Sequence, residues 1–226
     1  KKMRSLAIFE EITPVNYVDP VITLEPAFIN YSEQDPPTII VTGATLTDPD
    51  SADFDGGLLR VDLGTTGFAD DRLSINHEGN AAGQVGVSGN TVSYGGVAIG
   101  TFTGGTDGSD PLTVLFNANA DIAAIEALMQ NITYENVSVN PNTAQRSIAF
   151  SISDGDGGSS AAVTKTIIIN NVNAAPVITG ANNLTAIDED TFGNGGMLVS
   201  DLISGWITDA DPSALEGIAV VGVDNT

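Results

Sequence analysis

The chain has 226 residues and sets 29 Asp and Glu against 7 Lys and Arg, a formal net charge of −22. A field of that sign repels nucleic acid and anionic membranes, so neither is an expected partner. Cysteine is absent, which removes disulfides, thiolate zinc sites and cysteine nucleophiles together and leaves a bound divalent cation as the natural staple for an extracellular fold.

Acidity with few aromatics is one signature of disorder. Here 42 % of residues are apolar, and they fall in short alternating runs, which is the pattern of strands. No apolar run reaches the ~18 residues of a membrane-spanning helix. The opening Lys1-Lys2-Met3-Arg4-Ser5 is followed by no apolar stretch of signal-peptide length, so a secretion signal is expected outside this sequence.

Taken in order, Leu6-Ala7-Ile8-Phe9 reads as the last strand of a preceding unit (1–14), followed by a linker (15–20). A complete domain is expected over 21–170. Its predicted strands lie near Thr38–Thr42, Leu58–Leu63, Leu73–Ile75, Gln84–Val87, Thr91–Tyr94, Ala98–Thr103, Leu112–Phe116, Arg146–Ser153 and Val163–Ile169. Ser88-Gly89-Asn90 and Gly95-Gly96 are tight hairpin turns. Between Asn119 and Gln130 the period changes: Ile122, Ile125, Leu128 and Met129 share a helix face, with Asn119 or Asp121 as N-cap. A second linker (171–176) leads into a second unit, 177–226, expected to be truncated.

An internal repeat organises this layout. Val15-Asn16-Tyr17-Val18-Asp19-Pro20-Val21-Ile22-Thr23 resembles Val172-Asn173-Ala174-Ala175-Pro176-Val177-Ile178-Thr179. Leu46-Thr47-Asp48-Pro49-Asp50 is matched by Ile207-Thr208-Asp209-Ala210-Asp211. Ordered matches about 160 residues apart indicate tandem domains rather than a short solenoid repeat.

The carboxylates gather at strand ends beside Gly, Pro and Asn: Glu33 with Asp35; Asp48, Asp50, Asp53 and Asp55; Asp154 with Asp156; Asp188, Glu189 and Asp190; Asp209 with Asp211. Calcium takes six to eight oxygens from carboxylates, amides and carbonyls, and an Asp-x-Asp loop can aim several at one point. The plainer account is that Asp-Gly and Asp-Pro are turn formers; recurrence at matching places in both copies favours calcium. The loop pattern is not an EF-hand, since no Glu follows Asp154-Gly155-Asp156-Gly157-Gly158 at the required distance.

Four segments carry a family resemblance. They are Asn90-Thr91-Val92-Ser93-Tyr94 with Ile99-Gly100-Thr101-Phe102-Thr103; the helix from Ile122 running into Ile132-Thr133-Tyr134-Glu135-Asn136; Arg146–Phe150 leading to Asp154–Ser159; and Asn171-Val172-Asn173-Ala174-Ala175-Pro176. In these the chain resembles the bacterial cadherin-like domains related to chondroitin-sulfate-proteoglycan and Fras-type repeats. The resemblance implies an all-β, antiparallel Greek-key β-sandwich of cadherin/immunoglobulin type with one short helix, repeated in tandem. It implies an extracellular or cell-surface calcium-binding adhesin module, with Ca²⁺ clamped between neighbouring repeats and a homophilic, glycan or matrix ligand.

Carried across residue by residue, Asp48, Asp50 and Asp154 mark one pole of the first unit, with Asp156 beside them. Glu33, Glu135, Asn171, Asn173, Asp209 and Asp211 should converge at the junction between units. Asp53, Asp55, Asp19 and Glu189 are further candidates. The Asn-Val-Asn-Ala-Ala-Pro linker lacks two acidic ligands of the family pattern, so fewer or weaker ions are expected, with affinity nearer the 10⁻⁴ to 10⁻³ M of extracellular modules.

Rival readings are a structural spacer in a stalk or surface layer, and an accessory carbohydrate-binding module. The latter needs exposed coplanar aromatics, but only 6 % of residues are aromatic. Trp206 is expected in a core, leaving Tyr17 as the tempting exposed ring. Catalysis is not expected, because His77 is the sole histidine and no Gly-x-Ser-x-Gly elbow accompanies it.

Overall fold

A chain of short alternating segments punctuated by Gly, Pro and Asn can bury one face of each segment only by pairing them into sheets. The computed structural model describes residues 18–188, 190, 192–212, 214–219 and 222. The expected strand Leu6–Phe9, the linker residues up to Tyr17, and Glu189 lie outside the described residues.

Among the described residues up to Asn170 there are thirteen strands. They are β1 (Val21–Thr23), β2 (Ile29–Ser32), β3 (Thr38–Ile39), β4 (Thr45–Thr47), β5 (Leu58–Asp62), β6 (Asp71–Ile75), β7 (Val85–Ser88), β8 (Thr91–Tyr94), β9 (Val97–Thr103) and β10 (Leu112–Phe116), then helix α1 (Ile122–Met129), β11 (Ile132–Asn136), β12 (Arg146–Ser153) and β13 (Val163–Asn170). Beyond them come β14 (Val177–Ile178), α2 (Val199–Ile203) and β15 (Ile207–Thr208).

The architecture is all-β. One eight-stranded sheet runs β2-β13-β12-β5-β10-β9-β8-β7, a second β3-β11-β6, and two short ladders pair β1 with β4 and β14 with β15. Along β12 every second residue is buried, from Arg146 through Ile148, Phe150 and Ile152, the mark of a strand with one face inward. Those faces and the inner face of β3-β11-β6 meet in one apolar cluster reaching from Ile22 to Ile169. Tyr31 of β2 and Tyr134 of β11 join the two sheets edge to face, with centroids 5.1 Å apart.

The helix obeys its sequence. Ala124, Ile125, Leu128 and Met129 are its buried residues, and Asp121 rather than Asn119 is the cap, its carboxylate accepting the Ala124 amide at 2.8 Å. Glu126 accepts the Leu46 amide at 2.8 Å, and Gln130 donates to the Ala44 carbonyl at 3.0 Å, so α1 is fastened to β4.

Several features depart from the sequence reading, which named neither the strands β1, β2, β4 and β11 nor the second helix α2. The large sheet is mixed, because β2 lies parallel to β13. The strand expected over Thr38–Thr42 stops at Ile39, since the Glu25 carboxylate takes the Thr42 and Gly43 amides at 2.9 and 3.1 Å that would have continued the ladder. Trp206 is 39 % exposed instead of buried; it lies against Gly180 and its indole donates to Asn182 at 2.9 Å.

The two matching sequence stretches pair alike. In the first copy Val21 pairs with Thr47 and Ile22 with Leu46; in the second Val177 pairs with Thr208 and Ile178 with Ile207. The surroundings differ: Ile22 is 4 % exposed and Ile178 57 %. In the first copy α1 and β12 pack against this ladder.

Candidate metal centre

The first cluster forms where the chain enters β1. β4 ends at Thr47, and the Asp48-Pro49-Asp50 loop turns back over the Val18–Asp19 segment. Asp50 accepts the Val18 amide at 3.0 Å. Asp19 accepts the Ser159 amide at 3.0 Å, tying the same segment to the loop after β12.

Asp154 anchors that loop. It is buried, and its Oδ1 takes the amides of Asp156, Gly157 and Gly158 at 2.8, 2.9 and 3.0 Å. Gly158 is required here, because a Cβ would stand 2.3 Å from Asp154 Oδ2 and 2.9 Å from the Val18 carbonyl oxygen. The Val18 carbonyl and the Asp154 carboxylate thus both face this glycine. Gly155 (φ +91) fills the other tight spot, where a Cβ would stand 2.1 Å from the Asp55 carbonyl oxygen.

Asp48 is the exceptional member. It is 7 % exposed, its Oδ1 accepts the Asp50 amide at a long 3.4 Å, and its Oδ2 is buried with no hydrogen-bond partner within normal distance. Burial, and then the carboxyl of Asp50 beside it, push the Asp48 carboxyl above its ordinary value against the opposing pull of Ser51. An orphaned anionic oxygen is costly, and a cation is the partner that would relieve both the burial and the repulsion from Asp50.

The second cluster lies where β13 hands over to β14. Ala174 donates to Asp211 Oδ2 at 2.5 Å, as Val18 does to Asp50. Asp209 accepts the Asp211 amide at 2.9 Å, as Asp48 accepts that of Asp50. Asn171 donates to Asp211 Oδ1 at 3.2 Å. Glu33, buried, takes the Val172 amide at 3.1 Å on Oε2 and the Gln34 side chain at 3.1 Å on Oε1. Gln34 is the one described non-glycine residue with positive φ, +64, and this left-handed turn follows directly on Glu33.

The predicted residues therefore divide. Asp50, with Asp48 beside it, binds the Val18 amide, and Asp19 binds the loop that Asp154 caps, while Glu33, Asn171, Asp209 and Asp211 are linked through the 171–174 linker. Asn173 folds onto the Ala174 carbonyl at 2.8 Å and is exposed. Glu135 faces a shallow cavity of about 330 Å³ with Asp35 and Gln34. Asp156 offers its amide to Asp154 while its side chain is exposed, and Asp53 caps the Asp55 amide at 3.1 Å as a turn. Among the described residues no group of three or more His, Cys, Asp or Glu side chains forms a metal-binding cluster. The remaining ligands would be carbonyls, amide oxygens and water.

One polar constellation has no counterpart in the sequence reading. Asp71 and Arg146, both fully buried, pair at 2.7 Å. Asp71 also accepts from Tyr134 at 2.5 Å, from Asn136 at 2.7 Å and from the Phe68 amide at 2.8 Å. The Arg146 guanidinium reaches the carbonyls of Ala144 and Asn142 and lies 4.3 Å over the Phe68 ring. With a partner on each nitrogen of Arg146 and each oxygen of Asp71, this pair fixes the loop between β11 and β12. His77 is exposed and accepts the Val87 amide at 2.8 Å, a structural contact on the outer strand of the sheet.

No family model, curated protein or solved structure matches the chain.

Proposed function

We propose that the chain is a calcium-binding, cadherin-like tandem module of a secreted cell-surface adhesin. In this reading residues 21–170 form a Greek-key β-sandwich unit, 171–176 the linker, and 177 onward the opening of a second unit. Calcium would be held by Asp48, Asp50 and Asp154 with the Val18 carbonyl at one pole. At the other pole it would be held by Glu33, Asn171, Asp209 and Asp211. The ion would supply rigidity, neutralising carboxylates that otherwise repel and locking the entry segment of each unit to its Asp-x-Asp loop.

The observation that carries the reading is the repeated clasp. In both copies the backbone amide just ahead of the first strand is bound by the second aspartate of the Asp-x-Asp loop, and the first copy leaves Asp48 Oδ2 without a partner. Turn formation alone accounts for the caps but not for a buried anionic oxygen left bare. Calorimetric titration with calcium is the test, with thermal melts in millimolar calcium and in chelator. Saturable heat and a higher melting temperature in calcium are expected; identical melts and no heat would sink the reading.

A further inference from the structure

An asparagine side chain in a turn can accept the backbone amide two residues on. Among the described residues Asn117 accepts the Asn119 amide at 2.9 Å, Asn136 that of Ser138 at 2.9 Å, Asn142 that of Ala144 at 2.8 Å and Asn194 that of Gly196 at 2.9 Å. The ring closed by such a bond contains the backbone nitrogen of the residue between, so the side-chain carbonyl carbon is folded back toward that nitrogen. What differs is the residue that owns it. Ala118, Val137 and Thr143 own it in the first three turns and Gly195 in the last, and Asn194-Gly195 is the only Asn-Gly step in the sequence. A side chain on that residue stands over the nitrogen, more so when β-branched, and glycine has none. The surroundings are open as well: Asn194 is exposed, and a Cβ placed on Gly195 or Gly196 would meet nothing within 4 Å.

We infer that Asn194 is a self-modification site, where the chain converts asparagine to aspartate and isoaspartate with water as the sole co-reactant. The Gly195 amide gives its proton to water, and its nitrogen forms a bond to Asn194 Cγ. The Cγ–Nδ2 bond breaks, ammonia leaves with the proton, and a cyclic imide remains. The Gly196 amide, already on Oδ1, donates to the oxygen on which negative charge develops as the ring closes. Water then opens the imide. Attack at the Cγ carbonyl gives aspartate; attack at the main-chain carbonyl gives isoaspartate, whose backbone runs through Cβ and Cγ. Nothing is oxidised or reduced. Either product adds a negative charge close in sequence to Asp188 and Asp190, and isoaspartate also lengthens the backbone of the turn, a covalent change that alters both its charge and its geometry. The inference stands independently of the cation reading, because none of the ligands proposed there lies in this turn.

Incubation of the full chain in mildly alkaline buffer, followed by peptide mapping in a mass spectrometer, tests it. The peptide holding Asn194 should exchange an NH for an oxygen and become a substrate for an isoaspartyl methyltransferase used as a reagent. Its rate should exceed that of Asn117, which has the same side-chain bond but alanine after it, by at least about tenfold. Asn142, followed by a β-branched threonine, should be slower still. Gly195→Ala places its methyl in open space and should bring Asn194 down to the rate of Asn117. The inference is overturned if Asn194 reacts no faster than Asn117, or if Gly195→Ala reacts at the native rate. It is overturned equally if the folded chain reacts at Asn194 far more slowly than the chain unfolded in urea, since the turn would then hold the glycine nitrogen away from the side chain.

Discussion

Replacing Asp48 by asparagine should move stability in opposite directions with and without calcium. In chelator the native carboxylate leaves Oδ2 buried and unpaired beside Asp50, a penalty of about 1–3 kcal/mol for an unsatisfied buried group. Asparagine keeps an oxygen for the Asp50 amide and turns a donor toward the Asp50 carboxylate. A gain of about 1–2 kcal/mol is expected, or about 3–6 °C in melting temperature for a domain of this size. In calcium the native protein gains about 2.7 kcal/mol at a hundredfold excess over the dissociation constant, and the variant loses most of that increment. The melting order should therefore invert between the two buffers, read by differential scanning calorimetry. The pH dependence carries the same sign. The folded Asp48 pKa lies above its ordinary 3.8, so its contribution is present below that value and is lost as pH rises through the folded pKa. In chelator the native chain should weaken relative to the asparagine variant over that interval. An Asp48→Asn chain that melts below the native one in chelator, or that keeps the full calcium increment, refutes the reasoning.

Other changes test other parts of the structure. Glu25 has its pKa lowered to about 2: burial opposes this, but the Thr42 amide, its own amide and Lys165 outweigh it. Its stabilisation is present above pH 4.5 and lost as pH falls toward 2. Glu25→Gln should flatten that acid loss by about 1–2 kcal/mol after allowance for partial exposure, seen in urea midpoints across the interval. Arg146→Met should cost about 3–5 kcal/mol by stranding Asp71, and Arg146→Met with Asp71→Leu should cost less than the single change; a double variant worse than the single one counts against the account of the network. Gly158→Ala drives a methyl into Asp154 and the Val18 carbonyl, so circular-dichroism melts should show a loss of about 2 kcal/mol or more and a smaller calcium increment. Gln34→Gly removes a left-handed penalty of about 1 kcal/mol, and an unchanged or slightly raised melting point is expected.

Much of the fold could be read from local signals. The hairpins at Gly89 and at Gly95-Gly96 depend on positive φ, observed at +58, +56 and +81, and sequence advertises such positions. The helix was visible because Ile125, Leu128 and Met129 keep its period while Asp121 sits at its start. Asp48 and Asp50 stood out as candidates because their Asp-x-Asp pattern recurs at Asp209 and Asp211, whereas Asp154 was set beside them by the family resemblance. What escaped depended on distant partners. Nothing local to Asp71 distinguishes it from its neighbour Asp70, and Arg146 reads as the solvent-facing start of a strand; only the pairing of β6 with β11 and the chain's return at β12 bring them together. Glu25 interrupts the Thr38–Thr42 strand from outside that segment. The parallel placement of β2 is likewise invisible in a four-residue stretch, and Asn173 and Glu135 were assigned by family pattern alone.

The parallel pairing has a mechanical consequence. Ile29 to Ser32, near the start of the unit, lie beside Ile167 to Asn170 at its end, running in the same direction. A tether pulled from both ends draws β2 backward and β13 forward, so the rungs between them slide together under load instead of opening one at a time. Hydrogen bonds that are individually modest then have to fail as a group, and the rate of forced unfolding falls accordingly. The strand that makes the sheet mixed is thus a shear lock, placed where a cord of such units would bear tension.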